Sequence, residues 1–220
     1  MKGYKNNENI NFLNTNKLLK RILIILFAFA SLVVSAKSMR EIWLSMPDSM
    51  VRYLNKNKRI EFLDYVDMKV KTDVKNLLQG SSVMDTITSN YLSVRLNEAS
   101  SLQMRLLPVR GSDSLLCVVR TYSAPAAESV VNFFTQDWQP VGSMSFDGRQ
   151  LIAKPDTMSE QRFAELRAMI EPVMVQAELS AESDALFLQL SMPLLNSEDK
   201  KAIGSIISQR KLKWNGETFK

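Results

Sequence analysis

The chain has 220 residues, with 28 Lys and Arg against 23 Asp and Glu, a formal net charge of +5, and no histidine. The missing imidazole excludes Ser-His-Asp and Cys-His catalysis, HExxH zinc sites and histidine proton shuttles. A single cysteine excludes an internal disulfide, and seven glycines leave little material for a backbone phosphate cradle.

Residues 1–36 read as a leader. Lys17, Lys20 and Arg21 form a positive n-region, Ile22 to Val34 an apolar stretch, and Val34-Ser35-Ala36 the small residues of a cleavage site. The apolar run falls short of the ~20 residues that an anchor needs, is interrupted by Ser31 and ends at Lys37. No cysteine follows at once, so lipid attachment is not expected. The expectation is cleavage after Ala36, a mature chain in the periplasm or secreted, and no membrane span after processing. Without the leader the cations number 23 and the anions 22, so most of the basic character belongs to residues 1–36. Lys56, Lys58 and Arg59 read as the densest basic group left and as a helix surface, so no nucleic-acid partner is expected.

From 38 to 78 the period is helical. Met39, Ile42, Trp43 and Met46 share one stripe, and Pro47-Asp48-Ser49 stops it. Met50, Val51 and Leu54 carry a short second turn, and Ile60, Leu63 and Val66 or Tyr65 mark a third segment. Leu77-Leu78-Gln79-Gly80 closes the region, with Gly80 as the expected terminator.

Near 82 the period becomes two. Leu92, Val94 and Leu96 alternate with Tyr91, Ser93 and Arg95, and beyond a turn at Asn97 to Ser100 the residues Leu102, Met104 and Leu106 alternate with Gln103 and Arg105. This pattern predicts a half-buried antiparallel pair. Gly111-Ser112-Asp113 is the next turn, Ser114 to Tyr122 a more buried strand holding Cys117 as a core residue, and Glu128 to Thr135 another. Short connections between four or five strands imply a meander.

Thr157 with Glu160 then reads as a capping box for a helix through Phe163, Leu166 and Ile170, ended by Glu171-Pro172. Val173 to Leu179 and Leu186 to Leu190 are strands, Ser197 to Ser208 a helix, and Leu212 with Trp214 a strand that turns at Asn215-Gly216. The class is α+β: N-terminal short helices, an antiparallel β-meander, then helices alternating with antiparallel strands.

Few residues invite a chemical reading. Glu61, Asp64 and Asp67 recur every three residues on one helix, where a solvated face explains them better than a cation site. Ser197-Glu198-Asp199-Lys200 matches the S-x-x-K of serine acylating enzymes, but its companion elements are missing and a helix N-terminus explains the same letters. The loop around Pro125 could present Tyr122, Glu128 or Trp138 to a ligand, and those three are the candidate binding residues. No catalytic residue, metal ligand or cofactor is assigned.

The stretches MPDSMVRYLNKNKRIEFLDYVD (46–67), NLLQGSSVMDTITSNYLSVRLNEASSLQMRLLPV (76–109) and VVRTYSAPAAESVVNFFTQDWQP (118–140) resemble an uncharacterised family of exported Bacteroidales proteins, the domain-of-unknown-function family numbered 3256. The resemblance implies an envelope or secreted protein of a Gram-negative anaerobe and a single family domain over 38–220. It brings no site residues.

The function expected is a non-enzymatic interaction or structural module of the cell envelope, with an unidentified envelope protein as partner. A small-ligand or peptide-binding domain is the alternative, and a hydrolase using carboxylates such as Asp137 or Glu128 the third reading.

Overall fold

The computed structural model describes residues 37–123, 126–192 and 195–220; the leader reading and residues 124–125 of the proline loop lie outside the described residues. Helix α1 (Met39–Ser45) starts with a reciprocal cap that its Ser-x-x-Glu spelling encodes. Ser38 Oγ accepts the Glu41 N–H at 3.3 Å, and the Ser38 N–H donates to Glu41 Oε2 at 2.7 Å. Helix α2 (Lys56–Asp67) is capped by Asn55, whose side chain accepts the Lys58 N–H.

Between them residues 47–54 form successive turns, with Val51 and Leu54 buried. Arg59 organises this bend. Read from sequence as helix surface, it is 1 % exposed, and its guanidinium donates to the carbonyls of Met46 and Leu54 and to Asp48 Oδ1. The inward face of α2 therefore runs through Arg59, Phe62 and Leu63, and Ile60 turns outward. Phe62 meets the Trp43 ring edge-on at 6.0 Å, and the Trp43 indole donates to the Arg59 carbonyl.

The expected helical stretch to Gly80 is corrected by the structure. It holds strand β1 (Asp73–Lys75), which forms a hairpin with β2 (Ser81–Ile87). Asn76 holds the loop together, its Oδ1 accepting the N–H groups of Leu78 and Gly80. Leu77 and Leu78, expected at the close of the helical region, are exposed at the tip.

Strands β3 (Tyr91–Asn97), β4 (Ser100–Val109), β5 (Ser112–Tyr122), β6 (Glu128–Phe134) and β7 (Pro140–Met144) continue the meander, giving a seven-stranded antiparallel sheet in strict chain order. A 3-10 turn (Gly148–Leu151) and helix α3 (Glu160–Ala168) follow. The cap of α3 is Ser159, two residues beyond the expected Thr157, and it accepts the Arg162 N–H. Strands β8 (Met174–Leu179), β9 (Ala185–Ser191) and β10 (Arg210–Lys213) make a second sheet in the order β10-β9-β8, with helix α4 (Ser197–Gly204) between β9 and β10. The S-x-x-K serine is the first residue of α4 and not its cap; Asn196 caps it, accepting the Asp199 N–H at 2.8 Å.

The large sheet is covered on both faces. Leu92, Val94, Leu96, Leu102 and Met104 pack beneath Met39, Ile42, Trp43 and Phe62. On the reverse, Leu107, Cys117, Val119 and Val131 meet Val175, Ala177, Leu186 and Leu188 of the small sheet, together with Leu166 and Ile203 of the late helices. The alternation in β4 predicted one polar, solvated face, and the structure corrects this. Arg105 is buried, and Gln103 is half-buried, because the small sheet lands on them.

That second contact is polar at its centre. Among the described residues strand β8 has no strand partner on one edge, and side chains of the large sheet satisfy its backbone instead. Ser129 Oγ accepts the Ala177 N–H at 2.9 Å, and Gln103 Oε1 accepts the Leu179 N–H at 2.9 Å. Arg105 adds Nε to Asp184 Oδ1 at 2.8 Å and Nη1 to the Ser180 carbonyl at 2.9 Å.

Candidate functional site

Strand β10 spells Arg210-Lys211-Leu212-Lys213, a denser basic run than Lys56 to Arg59, and this is the signal that the sequence reading passed over. Period-two alternation sends Lys211 and Lys213 to one face and puts Arg210 on the same face as buried Leu212. Arg210 pairs in register with Leu188, and Leu212 with Leu186, both core residues of β9. A cation thus occupies a strand position whose pattern asks for an apolar side chain. Such local exceptions concentrate at functional sites.

Arg210 stands at the mouth of a pocket of about 390 Å³. Leu151, Leu188, Leu212 and Phe219, all buried, make its floor, and half-buried Met144 and Phe146 make one wall. The polar rim is Arg210, Lys220, Gln150 and Asp147. Arg210 Nη1 donates to Gln150 Oε1 at 3.2 Å, while Asp147 Oδ1 caps the 3-10 turn by accepting the Arg149 N–H at 3.0 Å. The turn can approach this closely because residue 148 lacks a side chain. A Cβ on Gly148 would stand 2.5 Å from Val173 Cγ1 and 2.8 Å from Val175 Cγ2. The arrangement has the size of a small-ligand pocket, with an apolar body and a few convergent polar groups.

A second, more open groove of about 600 Å³ lies where the β4–β5 and β6–β7 turns meet the C-terminal hairpin. Val109, Leu115, Val141 and Trp214 line it, with Asp113, Asp137 and Glu217 around them. Trp214 directs its indole N–H to the Pro108 carbonyl at 2.6 Å, and its ring lies tilted against Phe133 and edge-on to Phe219.

The three residues singled out from sequence are not brought together. Tyr122 and Glu128 face each other across the β5–β6 pair, with the Arg120 guanidinium 5.2 Å from the half-exposed Tyr122 ring. Trp138 lies beyond the other end of β6, 7 % exposed. It adopts the left-handed region at φ 62, which turns its ring under α1, and its indole donates to the Ile42 carbonyl at 3.2 Å. Its ring packs against Phe134.

Other polar groups are occupied structurally. Asp137 pairs with Lys37, and Glu128 lies at the far end of β6, roughly 20 Å away at the rise of a β-strand. Asp67 pairs with Arg40, and Glu61 with Lys58. Hydrogen bonds from the Ser38 backbone and hydroxyl hold Glu41 below the usual carboxylate range, and the Ser81 hydroxyl does the same for Asp73. Burial pushes the Tyr91 phenol and the Cys117 thiol upward. Among the described residues no group of three or more Cys, Asp or Glu could hold a metal ion.

Two antiparallel sheets, the larger sandwiched between helices and the smaller sheet, define an α+β protein with a pocket beside its C-terminal strand. A solved domain of an uncharacterised protein from Porphyromonas gingivalis W83 shares this fold, with a TM-score of 0.67, 22 % identity, and coverage of 83 % of this chain and 98 % of that one. No curated protein shows significant similarity. The chain belongs to the family described as "Protein of unknown function (DUF3256)", which matches residues 31–219.

Proposed function

We propose that the chain is an exported, non-enzymatic binding module of the cell envelope, one domain over 38–220, released into the periplasm or medium by cleavage after Ala36. One observation carries the binding half of this reading: an apolar pocket rimmed by Arg210 and Lys220. The separation of Glu128 from Asp137 along β6 weighs against the hydrolase reading, since acid–base pairs must face one cleft. No helix among the described residues is long and apolar enough to cross a membrane. The leader carries the export half.

Two measurements test the proposal. Fractionation with N-terminal sequencing is expected to find a processed chain beginning at Lys37 outside the cytoplasm, and an intact chain retained in the cytoplasm would overturn export. Native mass spectrometry of that material is expected to show a small-molecule adduct, which Gly148→Val removes by displacing the pocket wall. Loss-free adducts in the variant would move the binding site elsewhere.

A protein-docking role has its own observation, the groove beside Trp214. A photo-crosslinker at Val141 that captures one envelope protein, and fails to do so from Ile60 on the opposite helix layer, would favour that reading.

A further inference from the structure

We infer that the pocket beside β10 binds a small amphipathic anion: a short to medium alkyl chain ending in a carboxylate or phosphate. The inference rests on the binding reading above and adds the ligand's chemistry. Its apolar half follows from the floor, where Leu188, Leu212 and Phe219 offer hydrocarbon and no polar side chain. A volume of about 390 Å³ lies at the small end of ligand pockets, which fits a short chain better than a full-length lipid tail.

The charge follows from the rim. Arg210 and Lys220 line the rim, neither in an ion pair among the described residues, and the neutral Gln150 amide holds the Arg210 guanidinium there. Among the described residues Asp147 is the one carboxylate side chain lining the pocket; it accepts the Arg149 N–H, and its charge offsets one of the two cations. A guanidinium with free donors beside an ammonium recognises a carboxylate or phosphate through charge-assisted hydrogen bonds. The same rim repels an ammonium headgroup.

Isothermal titration of the purified protein with octanoate, octyl phosphate, octanol and octyltrimethylammonium, all below micelle formation, separates the contributions. Saturable octanoate or octyl phosphate binding is expected, at least about tenfold tighter than octanol or the cation, and about tenfold weaker in the Arg210→Gln, Lys220→Gln double variant. Both side chains are exposed, so the variant is expected to keep the parent melting temperature. A preference for octyl phosphate points to a lipid-type headgroup, and one for octanoate to a free acid. Three results would overturn the inference: octanol binding as tightly as the anions, an indifferent double variant, or no saturation by either anion below roughly 1 mM. The first of these would leave a binding pocket without anion selectivity. Export and native adduct formation are judged by separate measurements, so their failure is distinguishable from this one.

Discussion

The two faces of the seven-stranded sheet are buried by different means. Beneath α1 and α2 the contact is hydrocarbon and aromatic, with one buried guanidinium spent on the bend between the helices. Beneath the small sheet, apolar residues surround a polar joint in which Ser129, Gln103 and Arg105 complete the backbone of β8 and its following turn. Hydrophobic contact is non-directional and tolerates sliding, whereas a strand edge held by two side chains, with a third on the turn that follows, has one register. The helix layer contributes bulk stability, and the small sheet, which carries the pocket, is held in place by geometry.

Removing bulk from the helix face should have the largest effect. Trp43→Ala deletes a fully buried ring and its hydrogen bond, and is expected to cost about 4 kcal/mol in urea unfolding. A loss below ~2 kcal/mol would mean that the helices close over the gap. Arg59→Met comes next. It leaves the Met46 and Leu54 carbonyls without their donor, for an expected loss of about 3 kcal/mol, and Arg59→Lys should recover little because one ammonium cannot reach both.

These two residues also show where the sequence was readable. Trp43 shows its helical spacing in the sequence, β3 and β4 show period-two alternation, and β5 and β6 read as apolar runs between turns. Arg59 was misread because a charged residue beside two lysines looks like surface until the carbonyls that enclose it are known. Strand β1 was missed because three residues carry no measurable period; β2 and β7 were not assigned either, and β7 holds Pro140 and Gly142, residues that weaken a strand pattern. The pocket was illegible for a related reason. Its parts come from 144–151, β9, β10 and the last two residues, and only the Arg210 to Lys213 run advertised it locally.

The joint on the opposite face should cost less per residue and reveal more. Arg105→Met strands the Ser180 carbonyl and Asp184, with an expected loss of about 2 kcal/mol. Cys117 reports on which part opens. Its side chain lies in the core under the small sheet, and burial pushes its thiol upward, so a disulfide reagent should react only when that layer separates. Reaction in Arg105→Met is expected to accelerate beyond its change in global stability, and in Trp43→Ala only in proportion to it. Equal scaling in both would show that the sheets open as one unit. Ser129→Ala removes the acceptor for the Ala177 N–H together with the hydroxyl's bonds to Thr121 Oγ1 and the Ala177 carbonyl, and about 1 kcal/mol is expected.

The smallest effect belongs to the cap of α1 and sharpens the comparison from the helix side. Glu41 titrates below the usual carboxylate range in the folded chain because the Ser38 N–H and hydroxyl bind its charged form. A carboxylate lowered on folding stabilises at pH values above its unfolded pKa, and that stabilisation fades as pH falls through the folded value. Glu41 is exposed, so solvent screens the interaction and the effect is slight. Stability of the parent protein relative to Glu41→Gln should therefore favour the parent at neutral pH and converge in the acid range. Asp73, lowered by the Ser81 hydroxyl at the far sheet edge, has the same sign, so an Asp73→Asn background isolates the cap. A difference that persisted at low pH would assign the role of Glu41 to packing in the first turn of α1, because its charge would already be gone.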